Sequence, residues 1–217
     1  MNDHFHDFAL PDTALTRRAH AFITRLCDPV LVGHSVRAYL FGRELGTQAG
    51  LRPDEHYDDE VLFLACLLHD AGLSPEGDRA GRFEADGADT AVEFLAAEGL
   101  DERRRDIIWQ AIALHTSAGI ADRMRPEIAL THIGTGADIA ALRARSLPED
   151  LAARAHATWP RSDIGPHLTQ AIVEQIRRNP AKASLFSLPF ELLRQTHPDT
   201  PVPGWLDTVT AAWPGVP

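Results

Sequence analysis

His34 stands in VGHSVRAYLFG, the pair His69-Asp70 closes VLFLACLLHD, and Asp138 stands in THIGTGADIAAL. Each lies in an otherwise apolar segment. Imidazoles and carboxylates are costly in such surroundings unless they have partners. One divalent cation would satisfy all four, and imidazole nitrogen with carboxylate oxygen suits Zn, Fe, Mn or Co. His69 and Asp70 are sequence neighbours, so both reach one ion only from a helix end or a distorted turn, and Gly72 is consistent with such an end. A single His-Asp pair also has a structural reading, with the His donating to a carbonyl and the Asp capping the next loop. The two further residues favour the metal. An ion with four protein ligands and an open position lowers the pKa of bound water toward neutrality.

Rigid elements must hold these residues, and apolar spacing of helical period runs along most of the chain. Asp12 or Thr13 caps a helix through about Cys27. Asp28-Pro29 reads as an N-cap and a first-turn proline opening PVLVGHSVRAYLFGREL, which closes near Gly46. Asp58 or Asp59 opens EVLFLACLLHD, stopped by Gly72, and Glu84–Glu98 is a further helix ended by Gly99. Asp101 caps DERRRDIIWQAIALHTS, Arg125-Pro126 begins PEIALTHIGTGADIAALRA, and Pro148-Glu149-Asp150 opens a short helix to about Thr158. Residues 167–178 and 187–195 complete the set. Alternation of period two is nearly absent, so the expected fold class is all-α. The Pro-rich tail, 199–217, is expected to pack as irregular chain, with Trp205 and Trp213 to bury. The polar loop SPEGDRAGRF, 74–83, follows His69-Asp70 directly, a place where loops shape pockets.

The chain has 217 residues, room for one substantial core or two small ones. Its formal net charge of −10 argues against a general binder of phosphate backbones. A small anionic substrate stays open, because a pocket can differ from the mean. The two cysteines, Cys27 and Cys66, sit in apolar segments and are expected to be buried thiols in a reducing compartment. No run of 18 apolar residues exists, and MNDHFHDFAL has no signal-peptide pattern. The expectation is a cytoplasmic protein with a small-molecule substrate and neither nucleic acid nor membrane as partner. The tail with its two tryptophans would suit a homo-oligomer contact.

The order His34, His69-Asp70, Asp138 resembles the HD superfamily of metal-dependent hydrolases. HSVRAYLFGRELG, DDEVLFLACLLHDAGL, RFEADGADTAVEFL, IWQAIALHTSAGIA and PEIALTHIGTGADIA look like blocks of its cyanamide hydratase-like branch, together covering roughly 28–142. The resemblance implies a single HD-type helical domain over 28–198, with residues 1–27 forming a helix that packs on it. It implies one metal, Zn before Fe, Mn or Co, held by His34, His69, Asp70 and Asp138. It also implies addition of water to a small nitrile-like substrate, cyanamide going to urea in the named enzyme. Cyclic-dinucleotide phosphodiesterases of the superfamily carry a lysine shortly after the pair, and guanosine-tetraphosphate hydrolases and nucleotidases carry acids there. Here Ala71, Gly72 and Leu73 follow. Binuclear members add two histidines before the last Asp. His115 is one candidate, His132 stands close to Asp138 for the other, and Glu84 is a substitute, so one metal is expected over two.

In the hydratase reading Asp70 both ligates and accepts a proton, and His115 with Glu84 or Asp86 moves the proton to the developing nitrogen. Thr116, Ser117, Phe83 and Arg37 are the candidate substrate contacts. Plainer roles stand beside these: helix N-terminal acids for Glu84 and Asp86, a satisfied core histidine for His115, a helix cap for Thr116 and Ser117, and a salt bridge for Arg37. His4, His6, His20, His56, His156, His167 and His197 fall outside the pattern. Two alternatives remain, a phosphohydrolase acting on a nucleotide or other phosphate ester, and a non-enzymatic metal-binding interaction module. Arg37, Arg79 and Arg82 are the few basic residues near the motifs that a phosphate would use.

Overall fold

A computed structural model describes residues 4–200 and 204–213. Among them there are helices and no strand. The starts follow local capping chemistry. Thr13 accepts from the Thr16 amide at the head of α2 (Ala14–Leu26), after a single turn, α1 (His4–Asp7). Asp28 accepts from the Val30 and Leu31 amides at the head of α3 (Pro29–Gln48), with proline in its first turn. Asp58 caps α4 (Asp59–Leu68), and Asp101 caps α6 (Glu102–Leu114). Between them lies α5 (Phe83–Ala97). There follow α7 (Pro126–Ala140), α8 (Glu149–Thr158), α9 (Ile164–Arg178), α10 (Leu188–Thr196) and α11 (Trp205–Ala211).

Several boundaries depart from the sequence expectation: α6 ends at Leu114 rather than running on through Ser117, and α9 begins at Ile164 rather than at 167. The α7 helix stops at Ala140 rather than running on through Ala144, because Ala141 takes the left-handed conformation at φ 55° and its amide returns to Gly136. In the tail, residues 205–211 are helical where irregular chain was expected, and Trp205 and Trp213 are 60% and 76% exposed rather than buried.

The apolar α4 is buried on every side from Val61 to Leu68 and forms the central strut. The α2, α3, α6 and α7 helices surround it. On α3, Tyr39 and Phe41 are core residues, while Trp109 of α6 is partly exposed and donates to Asp89. Close packing of α3 on α7 depends on glycine, since a Cβ at Gly134 would lie 2.1 Å from the Ala38 carbonyl oxygen. A second close approach occurs after α4, where a Cβ at Gly72 would lie 2.0 Å from the Phe83 carbonyl oxygen. That approach sets the start of α5 against the His69-Asp70 turn. No helix among the described residues is long and apolar enough to cross a membrane. Cys27 and Cys66 are buried and unpaired with each other.

Candidate metal centre

His69 is the C-cap of α4, and Asp70 opens the short 3-10 turn Ala71–Leu73. The helix end therefore lets both side chains turn inward. His34 faces them from α3. The Nε2 atoms of His34 and His69 are 3.1 Å apart, and Asp70 Oδ2 is 3.3 Å from His69 Nε2 and 3.9 Å from His34 Nε2. All three residues are buried.

The hydrogens are placed by the partners. His69 Nδ1 lies 2.7 Å from the Cys66 carbonyl oxygen, which only accepts, so Nδ1 donates and Nε2 of the neutral ring is a lone pair. His34 Nδ1 donates to Asp138 Oδ2 at 2.8 Å, leaving its Nε2 a lone pair as well. Asp70 Oδ2 is buried with no hydrogen-bond partner. Burial alone would raise the Asp70 carboxyl, but His69 and His34 beside it hold it well below the usual carboxylate range. Burial pushes the His34 imidazole down, against the pull of Asp138. Three electron-pair donors thus converge, one of them an orphaned carboxylate oxygen. Bonds of about 2.0–2.2 Å in a tetrahedral ion give ligand separations of roughly 3.3–3.6 Å. The triangle's edges of 3.1, 3.3 and 3.9 Å span that range. A metal binds these donors deprotonated, in competition with the proton that Asp70 favours on His69, whose imidazole it holds up against the effect of burial.

Asp138 is not in this triangle. The sequence reading made it a fourth ligand, but its two oxygens accept from Arg37 Nε and Nη2 at 2.7 Å each, and Oδ2 also takes the His34 hydrogen. Burial would raise its carboxyl, yet His34 and Arg37 hold it well below the usual range. Its place is behind His34, fixing that ring's tautomer. Arg37 is correspondingly placed: it is 0% exposed, donates to the Trp159 carbonyl as well, and is not a substrate contact. The salt-bridge reading is the one the structure carries.

A cavity of about 240 Å³ opens on the triangle. Of the expected contacts, Phe83 and Thr116 line it, and so does the expected catalytic His115, its ring against both His69 and Phe83. His115 Nδ1 donates to the Ile112 carbonyl. Burial, with His69 nearby, pushes its imidazole down to about 4, well below a free shuttle near neutrality. Glu84 sits one layer back, accepting from Thr116 Oγ1 at 2.7 Å and paired with Arg82. Ser117 does not line the cavity, and its amide closes the turn after α6 on Leu114. Asp86 is structural: it accepts from the buried Lys182 and from the Arg79 and Gly81 amides, pinning the 74–82 loop. Arg79 is engaged by Glu93.

His132 was set aside on spacing, yet it lines the cavity. The signal was present in α7: His132, Thr135, Gly136 and Ile139 recur at helical spacing and form one stripe of the wall. His156, set aside too, lies 3.7 Å from Asp138 Oδ1. A larger open groove of about 510 Å³, with Arg103, Arg104 and Arg125 among its walls, lies at the opposite end of α4. Arg104 and Arg125 there are already paired with Asp58, Glu60 and Glu127.

The family model described as HD domain matches residues 31–155, more than half of the chain. No curated protein matches it.

Proposed function

The chain belongs to the HD domain family, and we propose that it is a metal-dependent enzyme adding water to a small, uncharged nitrogenous substrate such as cyanamide, giving urea. One observation carries the reading. The lone pairs of His34, His69 and Asp70 converge with no donor among them, beside a cavity on whose wall, among the described residues, no Lys or Arg stands. A phosphate ester needs such cations, so the wall weighs against the phosphohydrolase reading. A coordination set opening on a cavity, rather than sealed, weighs against a purely structural metal.

His34, His69 and Asp70 would hold one divalent transition ion, which supplies hydroxide near neutral pH. The reaction adds water across C≡N. The oxygen bonds to carbon, both carbon–nitrogen π bonds are lost, a carbon–oxygen π bond forms, and both water protons end on the former nitrile nitrogen. His115 Nε2, a lone pair at the wall, accepts a proton and returns it to that nitrogen. Thr116 and Glu84 hold the His115 end of the wall in place through their hydrogen bond. Asp138 and Arg37 keep His34 in the ligating tautomer.

The test is urea formation from cyanamide by protein stripped with a chelator and then reloaded with zinc, iron, manganese or cobalt in turn. Urea that returns with one of these ions supports the reading. Urea formed equally by stripped protein contradicts it.

A further inference from the structure

The hydrogen bonds of the cavity wall run in one direction. His115 Nδ1 donates to the Ile112 carbonyl and His132 Nδ1 to the His115 carbonyl, each at 2.7 Å. Both carbonyls only accept, so each neutral ring keeps Nε2 as an acceptor. Thr116 donates its hydroxyl hydrogen to Glu84, and Thr135 donates its own to the His132 carbonyl at 2.9 Å. What each hydroxyl has left is lone pairs. The polar side chains of the wall are therefore spent as donors and available only as acceptors. The rest of the wall is apolar, with Phe83 at the start of α5, Ile139 of α7, Leu168 of α9 and Leu188 of α10.

A ligand that matches this wall brings the hydrogens itself, carries no negative charge, and has an apolar body. Away from the metal, an anion would face lone pairs with no side-chain cation and no side-chain donor to offset its lost hydration. Cyanamide alone would leave the apolar wall without contact. The cavity, about 240 Å³, is below the roughly 300–1,000 Å³ of drug-sized sites, so the apolar part is a single ring or short chain.

We infer that the substrate is a monosubstituted cyanamide, R–NH–C≡N with R a small aryl or alkyl group, whose N–H is read by the His115, His132, Thr116 and Thr135 acceptors. The inference rests on the hydratase reading. Water adds across its C≡N bond as above, and the product is the monosubstituted urea R–NH–CO–NH₂.

Calorimetric binding to the zinc-loaded full chain tests it with four probes: phenylurea, its fully N-methylated analogue, urea and phenyl phosphate. Phenylurea is expected to bind at least tenfold more tightly than each of the others, the gain over urea coming from ring burial and that over the methylated analogue from the N–H bonds. His132→Leu removes one acceptor while keeping bulk, and should cut phenylurea affinity about tenfold and leave the methylated probe unchanged. Equal binding of phenylurea and its methylated analogue by the wild-type protein would overturn the inference. So would tighter binding of phenyl phosphate or of urea. Turnover separates the two readings. The expected binding order with no conversion of phenylcyanamide would sink the hydratase reading and leave the ligand class standing. Conversion of cyanamide with the order reversed would sink only the ligand class.

Discussion

His34 Nε2 and His69 Nε2 face each other at 3.1 Å, and in the neutral form of the two rings neither atom carries a hydrogen to place between them. Their Nδ1 hydrogens are committed to Asp138 and to the Cys66 carbonyl. Two opposed lone pairs beside the orphaned Asp70 Oδ2 make a site that a cation relieves.

Removing one of these donors should empty the site without unfolding the chain. His69→Ala takes away a ligand at the end of a helix whose packing rests on Val61–Leu68. We expect metal content to fall from about one per chain to near zero while far-UV circular dichroism is unchanged. Full metal retention by this variant would show that the ion is bound elsewhere.

Asp138 separates an orienting role from a ligating one. Asp138→Asn keeps the shape but weakens the hold on His34 and leaves Arg37 buried without its counter-charge. Losing such an outer partner costs about 10–100-fold in metal affinity. A loss as complete as that of His69→Ala would instead put Asp138 among the ligands, where the sequence reading had it.

The contrast between these two residues shows what a sequence carries. Thr13, Asp28, Asp58 and Asp101 mark helix starts because a cap bonds to amides two or three residues on, and such chemistry is local. The His69-Asp70 turn was legible for the same reason. The bond from Arg37 to Asp138 spans 101 positions and exists only because α3 and α7 pack closely, so spacing along the chain could not reveal it. His132 was passed over on its distance from Asp138. Six positions along a helix turn a side chain to a different face, one toward His34 and the other toward the cavity.

That close packing has its own test. Gly134→Ala would push a methyl against the Ala38 carbonyl, which is backbone and yields little. Overpacking of this kind costs about 1–3 kcal/mol, which lowers Tm by roughly 2–12 °C in a chain of this size. A variant melting at the wild-type temperature would mean that the helices separate at no cost.

Acid should weaken the fold through His115. Its native pKa is pushed down to about 4, while an unfolded imidazole takes a proton near about 6.5. Between those values the unfolded chain binds more protons, so stability is full above the upper value and falls as pH drops toward the lower. Tm measured from pH 7 to 4.5 should decline, and His115→Gln should make that decline shallower. An unchanged slope in the variant would mean that His115 titrates normally in the native protein.

The most direct measurement is metal stoichiometry, by elemental analysis of the wild-type chain after equilibration with zinc and exhaustive dialysis. The three converging donors predict one ion per chain, retained through dialysis and removed by a strong chelator. A wild-type chain that comes through with no bound ion would contradict the account at its root.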